Sequence, residues 1–362
     1  MSPRPTILFH PQNHVGLGHV NRLAAIALAV AEIDPSVRTP FVIEGAHHLH
    51  LDALDIPYVP LPSVHLMNET AGWIRWTDQE RSNLTQEIGR AIIATLKPQL
   101  VVFDCMPDRA FASVILQQEL PVVLCLRETR DLARYVERLE FLLPHVELIL
   151  IPHDPNEVLL PEPLARKSCF VGKIARQMSF AAADTSQRSG GGKKIVISGG
   201  GGGYPGTVAF YNLALSAMAE LHLGGLTAET QLIAGPLFTD WQKLELVGGV
   251  RVVPYDPNLA QTFAEADLVI CQAGYNTVAE LNLAGTRVVL VPAPRKWDDQ
   301  ITRAQRMVQE NLQFRILQTS SPKDLATLVA ELLRQPLPQR RVPAQAQGAQ
   351  RAAEKLCAML RS

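Results

Sequence analysis

The chain has 362 residues, more than one hydrophobic core usually serves, so two domains are expected. Its 47% hydrophobic and 19% charged content is that of an ordinary globular protein. A formal net charge of -1 does not provide the basic surface that binds nucleic acid, so nucleic acid is excluded as a partner. An anionic ligand must therefore be bound locally, by loops and helix ends.

Short apolar runs alternate with helix-length segments through the first half of the chain. The runs are rich in Val, Ile and Leu and do not alternate with polar residues, which is typical of strands buried on both faces of a parallel sheet. The predicted strands are Thr6–Phe9, Arg38–Ile43, Tyr58–Leu61, Leu100–Asp104, Val122–Leu126 and Leu148–Pro152. The predicted helices between them include His19–Ile33, Thr77–Leu96 and Thr129–Leu142.

The alternation stops at residues 175–192, whose small, polar and glycine-rich composition is that of a linker, and then resumes. Strands are predicted at Lys194–Ser198, Gln231–Ala234, Arg251–Pro254, Leu268–Gln272, Arg287–Pro292 and Phe314–Leu317. Helices are predicted at Thr207–Leu221, Asn276–Ala284 and Asp298–Glu310. One more helix, Gln345–Leu360, follows a proline-rich stretch and can return to the first domain.

Two halves of repeated βα units joined by a linker predict an α/β protein with two doubly wound, Rossmann-like domains that face a cleft. The predicted boundaries are 1–174 for the N-terminal domain, 175–192 for the linker, 193–340 for the C-terminal domain and 341–362 for the last helix.

Five cysteines form no C-x-x-C pair, and four lie in or beside apolar runs, where a thiol behaves as a small hydrophobe. This usage predicts a reducing, cytoplasmic compartment. The N-terminus enters a strand-like run directly, so no signal peptide is predicted. No apolar stretch approaches the ~20 residues of a spanning helix. Peripheral contact with a membrane stays open.

Ligands of open α/β sheets bind beyond the carboxyl ends of the strands, so the loops after strands are the candidate site. In the first such loop, Gly16 and Gly18 allow close backbone approach, and His19 lies at a helix start with free N–H groups. We interpret His19 as functional, and His14 as a weaker candidate.

A cluster of His47, His48 and His50 lies on a predicted helix. It has no carboxylate or cysteine at ligand spacing, so no metal site is predicted there.

The second loop, Ser198–Gly206, holds five consecutive glycines between a strand and a helix. Such a run suits backbone cradling of an anion. It lacks the Gly-Lys-Ser/Thr ending of a Walker A loop and the spacing of a dinucleotide fingerprint. A flexible turn is the alternative interpretation.

The third loop region, Cys271–Gln300, is the most specific. A strand ends at Gln272, and a tight turn at Ala273–Gly274 leads into a helix. The first residues of that helix, Asn276 and Thr277, offer side chains and N–H groups to a phosphate.

Glu280 follows one turn later on the same helix face, where its carboxylate can accept hydrogen bonds from two vicinal ribose hydroxyls. Asp299 and Gln300 begin another helix and offer further hydroxyl partners. The alternative is that Asp299 only caps its helix and Glu280 is a solvated surface charge.

The third loop region resembles the donor-binding region of GT-B glycosyltransferases, in particular family 28 (the peptidoglycan N-acetylglucosaminyltransferase group) and family 1. The pattern is a strand, a small-residue turn, Gly, Thr-x-x-Glu, Ala-Gly, an apolar strand, Val-Pro and a closing Asp/Gln pair. Here it is carried by Gly274, Thr277, Glu280, Ala284–Gly285, Val291–Pro292, Asp299 and Gln300. The first two loops resemble the two glycine-rich loops of the same enzymes.

The resemblance spans roughly residues 5–335 and is weak over 44–120. It implies that the N-terminal domain binds the acceptor and the C-terminal domain a nucleotide-sugar, with Glu280 on the ribose, Asp299 and Gln300 on the sugar, and Tyr255 and Asp256 near the base. The implied donor-binding residues are Gly18, Ser198, Gly200, Gly201, Tyr255, Gln272, Gly274, Asn276, Thr277, Glu280, Asp299 and Gln300.

Two departures from the family patterns matter. Family 1 usually has a histidine where this chain has Gln272, so one phosphate contact would come from an amide or from main chain. The fourth strand ends in Asp104, as in family 1, where such an aspartate pairs with the N-terminal histidine, and unlike the peptidoglycan enzyme.

The resemblance implies an inverting hexosyltransferase in which Asp104 orients His19 and His19 takes the acceptor proton. The chain has no D-x-D triplet, the usual metal-binding carboxylate pair of the other glycosyltransferase class, so neither a metal nor a cofactor is expected. The donor is expected to be a UDP-sugar.

Two rival functions stay open. A sugar-nucleotide 2-epimerase or hydrolase would need further acids, for which Glu44, Asp108 and Glu128 are available. A non-catalytic nucleotide-sugar-binding subunit is the other.

The acceptor is undetermined and is a small molecule, a glycan or a lipid-linked sugar. Trp73 and Trp76 either line its site or belong to a surface loop. The sequence leaves the oligomeric state open.

Overall fold

The computed structural model describes residues 4–12, 16–44, 49–62, 77–175, 192–336 and 347–361. The chain divides into two units. The first comprises Met1–Ala175 and Ala346–Ser362, and the second comprises Arg176–Gln345. Residues 176–191 of the predicted linker lie outside the described residues.

The first unit is built on a seven-stranded sheet in the order β3-β2-β1-β4-β5-β6-β7, with all neighbours parallel. The strands are β1 Ile7–Pro11, β2 Phe41–Glu44, β3 Tyr58–Leu61, β4 Leu100–Asp104, β5 Val122–Cys125, β6 Val146–Ile151 and β7 Ser168–Phe170. Six match predicted runs. The seventh, β7, has three part-buried residues and too little apolar length to be recognised in the sequence.

The helices of the first unit begin with α1 Gly18–Ile33, α2 Leu49–Asp52 and α3 Asp78–Leu96, and continue with α4 Arg109–Gln117, α5 Leu132–Arg138 and α6 Glu162–Ala165. Helix α3 starts in a reciprocal capping box between Thr77 and Glu80. The predicted helix Thr129–Leu142 is shorter than expected: it begins only at Leu132, and its end is replaced by turns over residues 139–142.

The second unit repeats the same winding with six parallel strands in the order β10-β9-β8-β11-β12-β13. They are β8 Lys193–Ser198, β9 Ala228–Ile233, β10 Val250–Val253, β11 Leu268–Cys271, β12 Val288–Leu290 and β13 Phe314–Ile316, all predicted to within a few residues. The helices are α7 Thr207–Leu223, α8 Leu259–Glu265, α9 Tyr275–Ala284, α10 Gln300–Glu310 and α11 Pro322–Arg334.

Strand order decides where a ligand can bind. In the first sheet the chain winds outward from β1 in both directions, and in the second it winds outward from β8. The crevices between β1 and β4 and between β8 and β11 are therefore the topological switch points, where open α/β sheets bind ligands beyond their carboxyl edges.

The last helix, α12 Gly348–Arg361, belongs to the first unit. Its buried residues Ala352, Ala353 and Leu356 join the core cluster that holds Leu23 and Ile26 of α1. A methyl group at Gly348 would overlap the backbone carbonyl oxygens of residues 172 and 173, so the helix begins in close contact with the segment after β7.

None of the described helices combines the length and apolar character that crossing a membrane requires. All five cysteines are free thiols.

We expect Leu356→Ala to lower the free energy of unfolding of the first unit by about 2–5 kcal/mol, because it opens a cavity under α1. Thermal or urea unfolding followed by circular dichroism measures the change. Lys355→Ala, on the exposed face of the same helix, is the matched control and should leave the transition nearly unchanged. Equal effects of the two substitutions would contradict the packing described for α12.

Candidate active site

The carboxyl end of β4 carries the first group of candidate residues. Strands β1 and β4 are neighbours, with Pro11 opposite Asp104, so the loop after β1 and the end of β4 share one edge. Asp104 is fully buried, and His19 is the second residue of α1. Nδ1 of His19 lies 3.1 Å from Oδ1 of Asp104. The structure thus brings together the two predicted catalytic residues.

A buried arginine completes this group. Arg22 lies one turn after His19 on α1, and only 2% of it is exposed. Its Nε donates to Oδ2 of Asp104 at 2.9 Å and its Nη2 to Oδ1 at 2.8 Å. The ion pair is therefore bidentate, the geometry in which arginine binds a carboxylate most strongly. The N-terminal turn of α1 is held against the end of β4 by this pair.

The charges of the group shift its pKa values. Burial alone would raise the pKa of Asp104, but Arg22 and then His19 outweigh burial and hold that pKa well below its usual range. Burial would lower the pKa of His19, but the charge of Asp104, with a contribution from Cys105, raises it above its ordinary value. Asp104 is therefore a carboxylate at any physiological pH.

Cys105 follows Asp104 in a left-handed backbone conformation, with φ of 62°, which residues other than glycine rarely adopt. Its N–H donates to the Cys125 carbonyl oxygen at 2.9 Å, and its thiol interacts with the side chains of His19 and Tyr135. Strain of this kind clusters at functional sites, where the surroundings over-determine it. Cys105 thus forms part of the His19 environment.

The donor atoms of His19, Asp104 and Cys105 all lie within 4.8 Å of one another, close enough for a metal ion. Both oxygens of Asp104, however, already accept from the guanidinium of Arg22. A second cation beside that guanidinium would be repelled. The donor set therefore suits the ion pair better than a metal.

Glu44, Asp108 and Glu128 are the three acids that a rival enzyme could use, and the structure describes the surroundings of each. Burial raises the pKa of Glu44, the last residue of β2, to about 8. Asp108 caps α4, accepts from Arg81 at 2.8 Å, and donates its N–H to Nε2 of His10 at 3.2 Å. Glu128 offers its backbone N–H to a histidine ring at 3.0 Å.

In the second unit, the glycine loop after β8 is fixed at its start by Tyr211 of α7. The Gly199 N–H donates to the Tyr211 hydroxyl oxygen at 3.0 Å, and that hydroxyl donates to the Ala234 carbonyl oxygen at 2.7 Å. Ser198, fully buried, accepts from the Gly200 N–H at 3.3 Å. The start of the loop is therefore hydrogen-bonded to α7 and, through Tyr211, to the segment after β9.

Backbone packing explains the glycines themselves. Gly202 and Gly235 have φ of 86° and 89°, and a methyl group on Gly235 would overlap the backbone of Gly200 and Gly201. The carbonyl of Gly201 accepts from the Leu237 N–H at 2.9 Å. Two backbone segments thus touch directly, which only glycine permits.

The glycine loop and the start of α9 converge because β8 and β11 are neighbours, with Ser198 opposite Cys271. A methyl group on Gly200 would lie 3.9 Å from the Thr277 hydroxyl oxygen. Gly274 is the N-cap of α9, and Asn276 and Thr277 lie in its first turn. The predicted phosphate-binding residues therefore meet at one helix N-terminus, which is suited to an anion.

Glu280 lies on α9 and is only 2% exposed, so it is not the solvated surface charge of the alternative interpretation. Asp299 caps α10, which was the alternative interpretation of this residue. Its carboxylate oxygens accept hydrogen bonds from the N–H and the hydroxyl of Thr302 at 3.1 and 2.9 Å. Gln300 is buried, accepts from the Ala293 N–H at 3.0 Å and donates to Asp298 at 3.2 Å. The sugar contacts of both residues stay predictions.

Arg295 contacts Gln272, the residue at which this chain departs from the family 1 pattern. Nη2 of Arg295 donates to Oε1 of Gln272 at 2.8 Å, and the guanidinium lies 3.6 Å from the ring centroid of Tyr204 in the glycine loop. The Tyr204 hydroxyl donates to the carbonyl of Pro294 at 2.6 Å. A cation is thereby fixed between the second and third loops.

Arg303 of α10 supports the turn before α9. Its Nη1 donates to the Ala273 carbonyl oxygen at 2.9 Å and its Nη2 to Oδ1 of Asp298 at 2.8 Å. The guanidinium also lies 5.8 Å from the ring centroid of Tyr275. The start of α9 and the start of α10 are therefore linked through one buried arginine.

The predicted nucleobase region follows β10, the edge strand of the second sheet. Asp256 accepts from the Asn258 N–H at 2.8 Å and from the Thr262 hydroxyl at 2.5 Å, which orders the entry into α8. Tyr255 precedes it and is part-buried. The base contact of Tyr255 stays a prediction.

Several predicted residues fall outside the described part of the chain: His14, His47, His48, Trp73 and Trp76. Two others are described: His50 is buried on α2, and Gly18 is the first residue of α1.

The sequence interpretation missed Arg22, Cys105, Tyr211, Arg295 and Arg303. Arg22 carried a usable signal, since it lies three positions after His19 and so shares its helix face. The others are recognisable only once neighbouring strands bring their loops together.

Residues 201–356 match the family model described as the glycosyltransferase family 28 C-terminal domain. Over 106 residues, the chain is 41% identical to a UDP-N-acetylglucosamine–N-acetylmuramyl-(pentapeptide) pyrophosphoryl-undecaprenol N-acetylglucosamine transferase of Pseudomonas fluorescens. That alignment covers 29% of this chain and 29% of the relative, so the chain matches less than a third of the relative's length. The predicted resemblance to family 28 is confirmed, and its C-terminal location with it.

Solved structures resemble the whole chain, among them the following two. A glycotransferase of kitacinnamycin aligns with a TM-score of 0.62 and 17% identity, covering 99% of this chain and 100% of its own. A UDP-GlcNAc 2-epimerase from Methanocaldococcus jannaschii aligns with a TM-score of 0.61 and 11% identity, covering 98% and 99%. At these identities the likeness shows the fold alone, and the predicted GT-B fold class is confirmed.

We expect Gly235→Ala to destabilise the second unit more than Gly225→Ala. Both glycines have positive φ, so both variants lose about 1–2 kcal/mol from backbone strain, but only Gly235 touches the glycine loop, and a methyl group at Gly225 meets open space. Thermal unfolding of the two variants measures the difference. Equal destabilisation would show that the loop is not packed against Gly235.

Proposed function

We propose that this protein is an inverting, metal-independent glycosyltransferase that moves a sugar from a nucleoside-diphosphate sugar, UDP-linked, to an acceptor hydroxyl. The observation that carries the proposal is the His19–Asp104 contact at the switch point of the first sheet. In the same chain, residues 201–356, most of which lie in the second unit, match a glycosyltransferase family model. Sugar transfer to a hydroxyl requires a base that takes the hydroxyl proton and a fold that binds the sugar donor, and we propose that this chain supplies both.

The base is proposed to be Nε2 of His19. With its Nδ1 proton donated to Asp104, the ring presents the Nε2 lone pair, which takes the proton of the acceptor hydroxyl. The acceptor oxygen then bonds to the anomeric carbon, and the bond from that carbon to the diphosphate oxygen breaks. The nucleoside diphosphate leaves with the bonding electrons, and the configuration inverts.

The donor is proposed to bind the second unit. Its diphosphate would lie at the N-terminus of α9 and against the glycine loop, where backbone N–H groups converge. Glu280, buried on the same helix, would hold the ribose hydroxyls. Tyr255 is proposed for the base, and Asp299 and Gln300 for the sugar.

Arg295 is the proposed source of positive charge for the leaving group. It lies beside Gln272, where the phosphate contact departs from the family 1 pattern, and its plane is fixed by Tyr204. A fixed guanidinium and helix N–H groups can neutralise the charge that develops on the diphosphate without a metal ion.

The name of the Pseudomonas relative gives the first pair of substrates to test, UDP-N-acetylglucosamine and a pyrophosphoryl-undecaprenol acceptor. We propose the donor half, UDP-N-acetylglucosamine, as the first candidate, because the family 28 C-terminal domain model matches residues 201–356, most of which lie in the second unit. If the acceptor is lipid-linked, we propose that the enzyme acts in the cytoplasm in peripheral contact with a membrane. No nucleic acid takes part in the proposed reaction.

A transfer assay tests the function. Purified protein is incubated with UDP-, dTDP- and GDP-sugars and a set of small-molecule, glycan and lipid-linked acceptors, with and without EDTA. We expect nucleotide release that depends on acceptor, an inverted anomeric linkage by NMR, and the same rate in EDTA. Rapid conversion of donor alone to an epimer or a free sugar would favour the rival enzymes, and strict Mg²⁺ or Mn²⁺ dependence would remove the metal-free mechanism.

We expect His19→Ala to lower kcat/KM by about 10²–10⁴-fold, because the general base is lost. The wild-type kcat/KM should fall as pH drops through the raised pKa of His19, with the acid limb above the ordinary value of about 6.5. UDP binding by calorimetry is the control and should be unchanged in the variant. A flat acid limb, or full activity of His19→Ala, would remove His19 from this role.

We expect Arg295→Gln to weaken UDP binding on the order of ten-fold or more, because it removes the charge that faces the diphosphate. Arg251→Gln is the matched control: Arg251 also donates to a glutamine Oε1, that of Gln231 at 3.1 Å, but lies within an edge strand. Titration of both variants with UDP measures the effect. Equal affinities in the two variants would remove Arg295 from the donor site.

A further inference from the structure

Two side chains share one carboxylate oxygen in the first unit. Oδ1 of Asp104 lies 2.8 Å from Nη2 of Arg22 and 3.1 Å from Nδ1 of His19. The third side of this triangle is short as well, since Nη2 of Arg22 lies 3.2 Å from Nδ1 of His19. All three distances are within hydrogen-bonding range.

The triangle can hold its protons in two ways. Nδ1 of a neutral imidazole carries either a proton or a lone pair. With a proton, it donates to Asp104, and Nε2 is the free base. With a lone pair, it accepts from Nη2 of Arg22, and Nε2 carries the proton instead. Only the first arrangement can take a proton from an acceptor hydroxyl.

Arg22 also changes the charge that His19 meets. An isolated buried carboxylate would stabilise the imidazolium strongly. Here the carboxylate is already paired through both oxygens with a guanidinium that stays protonated. His19 therefore lies beside a nearly neutral pair rather than beside a bare negative charge.

We propose that Arg22 is a positioning residue that competes with Asp104 for Nδ1 of His19 and so sets both the tautomer and the proton affinity of that ring. Arg22 keeps Asp104 fixed, and it limits how tightly His19 holds the proton it takes. This inference rests on the proposed function, since it assigns to Arg22 the adjustment of the proposed base.

Three other titratable side chains surround the group of His19, Asp104 and Arg22, and one of them, Cys105, also raises the pKa of His19. Cys105 contacts the ring from the end of β4, and Tyr135 of α5 contacts Cys105. Cys125 of β5 contacts Arg22. Burial raises the pKa of the Tyr135 hydroxyl and of the Cys125 thiol well above their ordinary values, so both are neutral near pH 7. The ion pair holds the permanent charges of the group.

Imidazole ¹⁵N NMR of the full chain reads the tautomer and the pKa of His19 directly, with the signal assigned by its loss in His19→Gln. We expect both tautomers in the wild type. In Arg22→Met we expect the Nδ1-protonated tautomer alone and a proton affinity about ten-fold or more higher, one pKa unit. Arg38→Met removes an exposed arginine of the same unit and should leave the His19 signal unchanged.

Arg22→Gln covers the case in which Arg22→Met does not fold. The amide keeps an N–H donor for Asp104 but removes the charge, so the proton affinity of His19 should again rise. Unchanged tautomer and pKa in a folded variant overturn the proposal. Loss of folding in both variants, with Arg38→Met folded, also overturns it, because Arg22 would then be a structural residue only.

The pH profile of transfer separates this inference from the proposed function. With Arg22→Met or Arg22→Gln, the acid limb of kcat/KM should move to higher pH, whereas loss of a merely structural contact would lower kcat/KM equally at every pH. If the wild-type protein transfers no sugar, the proposed function fails, and the NMR measurement still decides what Arg22 does to His19.

Discussion

A buried carboxylate must be neutralised, and the way Asp104 is neutralised organises the first unit. Asp104 ends a central strand with no exposure to solvent, so its partners have to come from the protein. Both are on the first turns of α1, which places that helix N-terminus over the switch point. The packing of α12 against α1 then adds an apolar contact to this electrostatic one. One electrostatic requirement thus determines where the candidate base lies.

The second unit reaches a similar arrangement with backbone rather than charge. Its glycine loop is pressed against the segment at Gly235 and pinned by Tyr211, and the start of α9 faces it across neighbouring strands. Fixed N–H groups at a helix start attract an anion. The start of α9 contributes only the partial positive charge of a helix N-terminus. Arg295, stacked on Tyr204, adds a full positive charge at the same edge of the sheet.

The comparisons and the site address different questions. The fold is shared with a glycotransferase and with an epimerase, so the fold does not choose between those reactions. The match to the glycosyltransferase family 28 C-terminal domain supports sugar transfer. What favours transfer is found in each unit by itself: a histidine paired with a carboxylate in the first, and in the second a glycine loop beside a helix N-terminus whose helix carries a buried glutamate.

The sequence by itself determined the two parallel sheets, because strands buried on both faces are continuous apolar runs, and twelve of these were recognisable. It also placed the glycine loop, Thr277 and Glu280, because their order along the chain is local. Strand β7 was missed, since three residues are too few to show a pattern. The partners of each side chain were decided only by tertiary structure. A buried charged side chain needs hydrogen-bond partners, and the order of the strands decides which residues lie close enough to serve. This order placed Arg22 at both oxygens of Asp104 and Arg295 at Gln272.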